Sequence, residues 1–383
     1  MKKILFILCL LLNVHANEAS YNDIDSGSIK KLQKNTLFGS SKIIDLSSNG
    51  KFLVMGSLGG NIVIMDIEKN SLISLLKTTL NDITSIALSK DMTTIIAGDL
   101  KGQVEVWNLP KKTLVRKIDG HTQEITSVSI SDDNSRIMTA SKHEMTKLWN
   151  LKTGQLIITP ISLELPIDYD PSAYLCTHLS GSNAFSFTHA QRWIDIFDAK
   201  SGKNKGKVTI FDETLDPNHR YITTHLPFIN HRAIEFTADG KNVILSTMDE
   251  DTLCKDCEKG IEMCIKTFDI SNNALKYKIP LRDPLPVLTL SKDGKDGIFI
   301  DQYIDKVDGK SKMIALLKRF EIDSGKIVDS HVLLDEWTRF GHTRQMDFKI
   351  LREISEGKYL TLAQDGGIDI WDLTNLNITN KGK

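Results

Sequence analysis

The 383-residue chain has few of the features that mark fibrous, disordered or membrane-spanning proteins. It contains 9 Pro and 24 Gly, and 40% of its residues are hydrophobic, which argues against a collagen-like or largely disordered chain. An apolar run at residues 4–12 is too short to span a bilayer. With 48 basic and 49 acidic residues, the chain also lacks the excess of positive charge that phosphate contacts require. The composition is that of an ordinary globular protein, and we expect no nucleic-acid partner.

The sequence also lacks the motifs of common catalytic and phosphate-binding sites. It contains no Gly-x-Ser-x-Gly, no His-Glu-x-x-His and no glycine-rich phosphate loop. Three histidines, His219, His225 and His231, are spaced six residues apart. Six extended residues span about 20 Å, which is too far for one metal ion unless the loop folds back. We therefore expect no enzymatic activity, no cofactor and no metal site.

The N-terminus has the layout of a cleavable secretory signal. Lys2 and Lys3 precede the apolar run, and Ala16 follows it as a small residue at the expected exit. Cleavage would leave 46 basic and 49 acidic groups and no transmembrane segment. We expect an exported protein, periplasmic if the source is a Gram-negative bacterium and otherwise secreted.

Cysteines are few, and three of them lie close together in the sequence. Cys9 lies in the apolar run, which leaves Cys176, Cys254, Cys257 and Cys264. A zinc site would need a nearby histidine or a second cysteine pair, and a redox motif would need a βαβ unit around it. In an oxidising compartment a disulfide is the better interpretation. We predict a disulfide among the last three cysteines, with its pairing left open.

What the sequence does have is a short element that recurs seven times. An aromatic residue or Met is followed by an acid or Asn and usually by a small or aliphatic residue. The copies are centred on Asp66, Asn108, Asn150, Asp198, Asp269, Glu321 and Asp372. Period-two strand patterns and turn residues flank each copy, as four-stranded antiparallel units require. The repeat predicts an all-β fold, a seven-bladed β-propeller of four-stranded antiparallel blades.

This repeat resembles that of the WD-repeat β-propeller family. His121 stands 28 residues before Trp149, and His342 stands 29 residues before Trp371, each preceded by Gly. The spacing is similar to the Gly-His to Trp-Asp distance of that family. The resemblance covers about residues 29–373 and implies a non-catalytic scaffold for protein interactions, although a fold alone does not fix a function.

Members of that family often brace each blade with a structural tetrad of His, Asp, Ser or Thr, and Trp. By resemblance, only the seventh unit retains all four, as His342, Asp365, Thr361 and Trp371. The third unit retains His121 and Trp149, but His143 stands where the acid is expected. The second unit retains Trp107, with Lys101 at the acid position. These departures predict degenerate blades.

The repeat leaves residues over at both ends of the chain. We divide the chain into a signal at 1–16, a lead-in at 17–42 and the propeller at 43–383. Open sheet edges invite aggregation, so the ring must close. We predict that the lead-in segment 28–38 supplies the outer strand of the last blade. The rival closing strand is the C-terminal segment that contains Leu376 and Ile378.

The spacing also reveals where the extra residues lie. Roughly a dozen residues are added between the second and third strands of blades five and six, and a long connection at about 211–231 joins blades four and five. Because strands in a blade alternate in direction, all three additions belong to one face. Loops on a rigid scaffold commonly carry binding residues. We expect a protein partner there, with the chain a monomer or a subunit of a hetero-complex.

Two other functions stay open at this point. A propeller enzyme or a cofactor- or metal-binding accessory protein of a periplasmic redox or envelope complex would need acids or histidines pointing into the axial channel. A propeller that binds small ligands or carbohydrates would need aromatic residues on its binding face.

The basic run from Lys200 to Lys207 lies in a turn between third and fourth strands, and we interpret it as solvated.

Overall fold

The computed structural model describes most of the repeat region, and every structural statement below refers to those residues. They are 43–47, 51–57, 59–67, 69, 71–142, 144–158, 175–188, 193–210, 233–248, 263–282, 286–307, 310–337, 348–363 and 368–373. They form an all-β structure in which seven antiparallel sheets follow one another along the chain. None of these residues lies in a helix long and apolar enough to cross a membrane.

The first four sheets have four strands each, paired in sequence order. Blade one comprises β1 (Ile43–Leu46), β2 (Phe52–Gly56), β3 (Asn61–Asp66) and β4 (Ser71–Lys77). Blade two comprises β5 (Ile83–Leu88), β6 (Thr94–Asp99), β7 (Gln103–Asn108) and β8 (Thr113–Asp119). Blade three comprises β9 (Ile125–Ile130), β10 (Arg136–Ser141), β11 (Glu144–Asn150) and β12 (Leu156–Ile158). Blade four comprises β13 (Leu175–Ser180), β14 (Asn183–Thr188), β15 (Trp193–Asp198) and β16 (Asn204–Thr209).

Blades five and six repeat this order, and blade seven has three described strands. Blade five comprises β17 (Ile234–Phe236), β18 (Asn242–Met248), β19 (Met263–Asp269) and β20 (Ala274–Leu281). Blade six comprises β21 (Val287–Leu290), β22 (Asp296–Val307), β23 (Lys310–Glu321) and β24 (Ile327–Trp337). Blade seven comprises β25 (Phe348–Ser355), β26 (Lys358–Ala363) and β27 (Ile368–Asp372). The segments proposed to close the ring, 28–38 and 374–383, lie outside the described residues, so the segment that supplies a fourth strand to blade seven stays a prediction.

The recurring sequence element ends the third strand of every blade, as predicted. Its central residue is the last residue of β3, β7, β11, β15, β19, β23 and β27. The turn that follows reverses the chain through a residue with positive φ, such as Gly154 (φ 73°) or Asn273 (φ 57°). Gly and Asn accept this left-handed conformation at little steric cost. The seven-bladed propeller predicted from the repeat is therefore confirmed.

The apolar core lies between blades rather than within them. Each sheet buries both faces, and six clusters of buried side chains occupy the seams between neighbours. One cluster runs through blades four, five and six. Another joins Met55 and Met65 of blade one to Leu360 of blade seven. Since that contact joins the first and last blades, the seven sheets form a closed ring.

Every described fourth strand carries one extra residue at the same level. The register with the third strand shifts where the aromatic or Met of the repeat is paired. This β-bulge pushes one side chain outward at the circumference. The extra residues are Ile73, Val115, Ile157, Lys205, Lys276 and Val328. The outer edge of each blade is thus bent in the same way, whatever its sequence.

Candidate interaction face and central channel

The addition in blade six is a longer β-hairpin rather than an irregular loop. β22 and β23 have twelve residues each and pair without interruption from Asp296 and Glu321 to Val307 and Lys310. The corresponding strands of blades two and three have six or seven residues. Six extra residues extend a strand by about 20 Å. β24 accompanies the hairpin for eleven residues, so blade six projects beyond its neighbours as a three-stranded sheet.

Hydrogen bonds in blades one and two show on which face this hairpin lies. There, the turn between the second and third strands, which corresponds to the hairpin, lies on the same face as the blade-to-blade connection. In blade one the backbone N–H of Gly59, between the second and third strands, donates to Asp82 Oδ1, in the connection to blade two, at 2.8 Å. In blade two, Leu100 N–H donates to the Asp82 carbonyl at 3.0 Å. The other two additions of this face, at 211–231 and 249–262, lie outside the described residues.

The base of the hairpin is fixed to the connection from blade five. The Arg282 guanidinium stacks on the Tyr303 ring, with its carbon 4.4 Å from the ring centroid. Arg282 N–H donates to Asp301 Oδ1 at 3.0 Å, and Asp301, which is 1% exposed, pairs with Lys318 Nζ at 2.6 Å. A buried carboxylate held by both a cation and a backbone donor is a rigid anchor. The projecting strands are therefore held in a defined orientation.

Apolar side chains on this projecting sheet face water. Ile304 is 50% exposed and Val332 is 57% exposed, although both lie in regular strands. Ile304 lies opposite Met313, which is buried, so the two ends of one cross-strand pair differ in environment. Exposed apolar groups on a rigid element can bind a partner without a large cost in ordering.

A second group of residues meets in the central channel, which the innermost strands surround. The strand registers place one residue of each blade at the same level: Asp45, Ala87, Ser129, His178, Glu235, Thr289 and Arg352. We call these residues the channel tier. Arg352 Nη1 lies 2.6 Å from Glu235 Oε1 and 3.0 Å from Thr289 Oγ1. One side chain thus links blades five, six and seven, and Glu235 raises the pKa of Arg352 against the effect of burial.

His178 of the channel tier packs against aromatic rings of blades four and five. Its ring stacks on Phe236, with centroids 4.7 Å apart, and Phe236 stacks on Phe185 at 4.0 Å. Burial lowers the pKa of His178 to about 4; the charge of Asp132 opposes this shift, whereas those of Arg352 and Lys90 add to it. The imidazole is therefore neutral at physiological pH.

The inner edges of several sheets are closed by side chains of the preceding blade. Leu88 N–H donates to Asp45 Oδ2 at 2.7 Å, and Val128 N–H donates to Ser85 Oγ at 3.0 Å. Each bond satisfies a backbone donor that an innermost strand would otherwise present to the channel. Such bonds manage the exposed strand edge without a further strand.

The structural tetrad is complete in blade three, which the sequence had predicted to be degenerate. Trp149 Nε1–H donates to Thr139 Oγ1 at 2.9 Å, and Thr139 Oγ1 lies 2.8 Å from His121 Nε2. His121 Nδ1–H donates to Glu144 Oε2 at 2.8 Å. The acid is Glu144, one residue later than expected, because the register shifts between Thr139 and Ser141. The interpretation that only the seventh unit retains the tetrad was therefore wrong.

The charges of this tetrad are fixed by its hydrogen bonds. Although burial raises the pKa of Glu144, hydrogen bonds from the hydroxyl and backbone N–H of Thr122 and from His121 lower it to about 2. Burial lowers the pKa of His121, against the hydrogen bond to Glu144. A neutral imidazole can accept from Thr139 and donate to Glu144 at once, which completes the chain of bonds.

The other tetrad residues are seen in part. In blade seven, Trp371 Nε1–H donates to Thr361 Oγ1 at 2.9 Å, as in blade three. His342 and Asp365 lie outside the described residues, so their roles stay predictions. In blade two, Trp107 Nε1–H donates to Glu105 Oε2 at 2.9 Å, and Glu105 is 1% exposed. A glutamate on the same strand thus replaces the hydroxyl of the tetrad.

Comparisons with known proteins agree with this architecture. A family model for the Vps8 β-propeller matches residues 25–163, about a third of the chain. Among solved structures, the crystal structure of the Cps50 (Swd1) β-propeller domain of Myceliophteria thermophila is similar, with a TM-score of 0.61 and 14% identity over 90% of this chain and 99% of that one. No curated protein sequence matches the chain. The resemblance to WD-repeat β-propellers is confirmed. At this identity the likeness extends to the fold alone.

The same comparisons contradict the expected export of the protein. The Vps8 and Swd1 propellers are subunits of eukaryotic intracellular complexes and not exported proteins. The periplasmic or secreted location predicted from residues 1–16 was therefore wrong. That prediction rested on composition alone, on two lysines before a nine-residue apolar run, and on no structural observation. Residues 1–16 lie outside the described part of the chain.

Only one of the three cysteines of the predicted disulfide lies in the described part of the chain. Cys264 lies in β19, not in the insertion, and is 1% exposed between its strand partners Thr247 and Pro280. Cys254 and Cys257 lie outside the described residues. The disulfide stays a prediction, but the oxidising compartment on which it rested is no longer expected.

The remaining candidate residues contribute no cluster in the described structure. His219, His225 and His231 lie outside the described residues. Among those that are described, no group of three or more His, Cys, Asp or Glu side chains is placed to hold a metal ion. The basic run was predicted to lie in a turn, but only its first half does; Asn204 to Lys207 are the first residues of β16, with Lys207 Nζ 4.8 Å from the centroid of the Trp193 ring. Sequence reasoning missed the channel tier, since its members share no residue type and only the first three, 42 residues apart, are evenly spaced.

Proposed function

We propose that the chain is a non-catalytic interaction scaffold that binds a partner protein at the face from which the blade-six hairpin projects. The observation that carries this proposal is the length of β22 and β23, twelve residues where blades two and three use six or seven. Blades two and three form with strands of six or seven residues, so a blade does not need this extension, and we place its value in what it presents to a partner.

The exposed chemistry of the hairpin supports a protein ligand. Ile304 offers an aliphatic side chain on one face of the projecting sheet; on the other face Val332 offers a second, and the Arg282–Tyr303 stack offers a cation and an aromatic ring. Aromatic and arginine anchors next to apolar groups are typical of the energetic centres of protein interfaces. The anchored strands hold these groups in place before binding, which lowers the ordering cost.

The propeller architecture also supports this proposal. A ring of blades presents loops and strand ends from several sheets on one face while its core stays rigid. The Vps8 and Swd1 propellers, which are similar in fold, are complex subunits. Their partners carry no information about the partner of this chain.

Affinity purification of the full chain from its native cells tests the proposal. The informative variant is Ile304→Ser with Val332→Ser, which removes exposed apolar groups without changing buried ones. The matched control is Leu100→Ser, at the corresponding turn of blade two on the same face, where Leu100 is 48% exposed. We expect the double variant to lose an identified partner by about tenfold or more and the control to retain it.

Each partner found in this way is then purified, and its affinity is measured for the parent chain, the double variant and the control variant. A double variant that unfolds at the same urea concentration as the parent and binds every partner equally well would sink the proposal. Equal loss in the control would show that the interface is not centred on blade six.

A further inference from the structure

The outer strands of blades one to five carry a positive charge that the net charge of the whole chain does not reveal. With the turns that lead into them, they occupy residues 67–77, 109–119, 151–158, 199–209 and 270–281. We call these five segments the basic rim. It contains thirteen Lys and Arg residues and two acids, Glu68 and Asp119. Because the whole chain has a net charge of −1, a rim at +11 leaves −12 for the remainder.

The cations of the basic rim are spread over all five blades and are mostly exposed. They are Lys69, Lys77, Lys111, Lys112, Arg116, Lys117, Lys152, Lys200, Lys203, Lys205, Lys207, Lys276 and Lys278. Blade four contributes four lysines and no acid. Its bulge places Lys205 at the circumference, and the bulge of blade five places Lys276 there. The Nζ atoms of these two lysines bond to Asn183 and Asn242 of the same blades.

Exposed apolar side chains accompany these cations in blades one, two, three and five. Six of the eleven large hydrophobic residues that are exposed in the described structure lie in the basic rim: Leu72, Ile73, Leu75, Val115, Leu156 and Leu275. Leu72 is 56% exposed and Val115 is 55% exposed. The surface therefore combines positive charge with aliphatic area along one continuous circumference.

Protection of sheet edges does not account for the sign of this charge. Charged side chains of either sign discourage pairing between exposed edge strands. The corresponding segment of blade six, residues 322–337, is as peripheral but has one lysine and four acids. Five consecutive blades of one sign, followed by a blade of the other, indicate a ligand with a preferred charge.

We propose that the basic rim binds an acidic, extended segment of a partner protein whose apolar side chains alternate with its carboxylates. The carboxylates would pair with rim lysines, and the apolar side chains would contact residues such as Val115 and Leu156. This surface lies on the circumference, apart from the blade-six hairpin, so the two sites are independent.

The shape and chemistry of the rim favour a peptide over other polyanions. A flat membrane touches a convex rim at only one or two blades, whereas a flexible chain can follow several. Single-stranded nucleic acids bind through stacking on aromatic side chains. The rim offers few: Lys207 covers Trp193, and Tyr277 donates its hydroxyl to the Ile322 carbonyl at 2.6 Å. Aliphatic side chains between lysines suit a partner with side chains of its own.

Fluorescence anisotropy with the full chain and a labelled peptide of alternating Glu and Leu tests this proposal. We expect binding at low ionic strength that weakens about tenfold between about 50 and 300 mM salt, since exposed charges are screened. Lys200→Glu with Lys203→Glu should weaken binding at least about fivefold. The matched control is Lys241→Glu with Lys295→Glu, which reverses two lysines that are 75% and 80% exposed outside the rim.

The outcomes separate this proposal from its rivals. Equal binding by the rim pair and the parent protein, or equal loss in the control pair, would overturn it. Tighter, rim-dependent binding of an oligothymidine or of phosphatidylserine vesicles than of the peptide would overturn it in favour of a nucleic acid or a membrane. The hairpin variant Ile304→Ser with Val332→Ser should bind the peptide normally, so failure of one site leaves the other testable.

Discussion

Arg352 of blade seven reaches past blade six to Glu235 of blade five, with Nη1 2.6 Å from Oε1. Thr289 of blade six accepts a hydrogen bond from the same nitrogen at 3.0 Å. The contact spans one intervening blade, so it constrains the relative positions of three blades whose two seams belong to separate apolar clusters. Arg352 is 42% exposed and Glu235 17% exposed, so solvent screens the pair in part.

We expect the pair Arg352 and Glu235 to couple measurably but modestly. Arg352→Met should destabilise the protein more than Glu235→Gln, because it leaves a carboxylate in the channel without its cation. A double-mutant cycle by urea unfolding should give a coupling free energy of about 1 kcal/mol. Additive effects in the two single variants would contradict the coupling.

The tetrad of blade three should contribute to stability through its unbroken hydrogen bonds. Thr139→Val keeps the size of the side chain but leaves Trp149 Nε1–H and His121 Nε2 without their shared partner. We expect a loss of about 1–3 kcal/mol in the free energy of unfolding. Thr113→Val, at the exposed start of β8, is the control and should change stability by less than about 0.5 kcal/mol. A neutral result at Thr139 would show that water replaces the bonds.

The neutral imidazole of His178 should make stability depend on pH in a defined window. The ordinary pKa is 6.5, and burial lowers that of His178 to about 4. Between these values the unfolded chain binds the proton and the folded protein does not. The free energy of unfolding therefore falls as the pH falls from 6.5 to 4, by at most about 1.4 kcal/mol per pH unit for this group. His121, whose pKa is also lowered, adds to the same trend.

Urea unfolding at several pH values between 7 and about 5 measures this slope. His178→Phe should flatten it, because the variant has no imidazole to protonate in the unfolded state. Glu144 and Asp91, each with its pKa lowered to about 2, lose their contribution only at lower pH, below the ordinary values of 4.5 and 3.8. An unchanged slope in the variant would show that other groups cause the acid sensitivity.

Closure of the ring can be tested by truncation at either end. In blade one, Leu72 and Leu75 pair with Met65 and Val63, whose side chains pack toward blade seven. These leucines are exposed beside the place where a fourth strand of blade seven would lie. We expect removal of residues up to Phe38 to abolish cooperative unfolding, because the segment supplies that strand. Truncation after Leu373 should then have little effect; the reverse result would assign closure to the C-terminal segment.

The sequence predicted the ring better than it predicted the sites. The repeat places the end of every third strand correctly because the aromatic residue and the acid after it are fixed by packing at each seam. Glu144 was missed because a bulge moves it one position, and a spacing rule cannot show a register shift. The blade-six addition was expected as a loop, since its length could be counted but not the pairing of Tyr303 with Ile314.

The channel tier and the basic rim escaped prediction for different reasons. Asp45, His178, Glu235 and Arg352 come together only through strand registers, and they share no residue type. The rim lysines were visible, but a net charge taken over the whole chain cancels them against acids elsewhere. A charge count by position within the repeat reveals the rim from the amino-acid sequence alone.

The location of the apolar cores has one more consequence, for how the chain can be divided. The apolar clusters are shared between neighbouring blades. Trp149 of blade three packs with Ile96 of blade two, and Met138 of blade three packs with Phe197 of blade four. A fragment cut at blade boundaries therefore exposes half a core at each end, however well its own strands pair. The segment 25–163, which is the part of the chain that the Vps8 family model matches, is such a fragment. We therefore expect the complete ring, and no smaller set of blades, to fold as one unit.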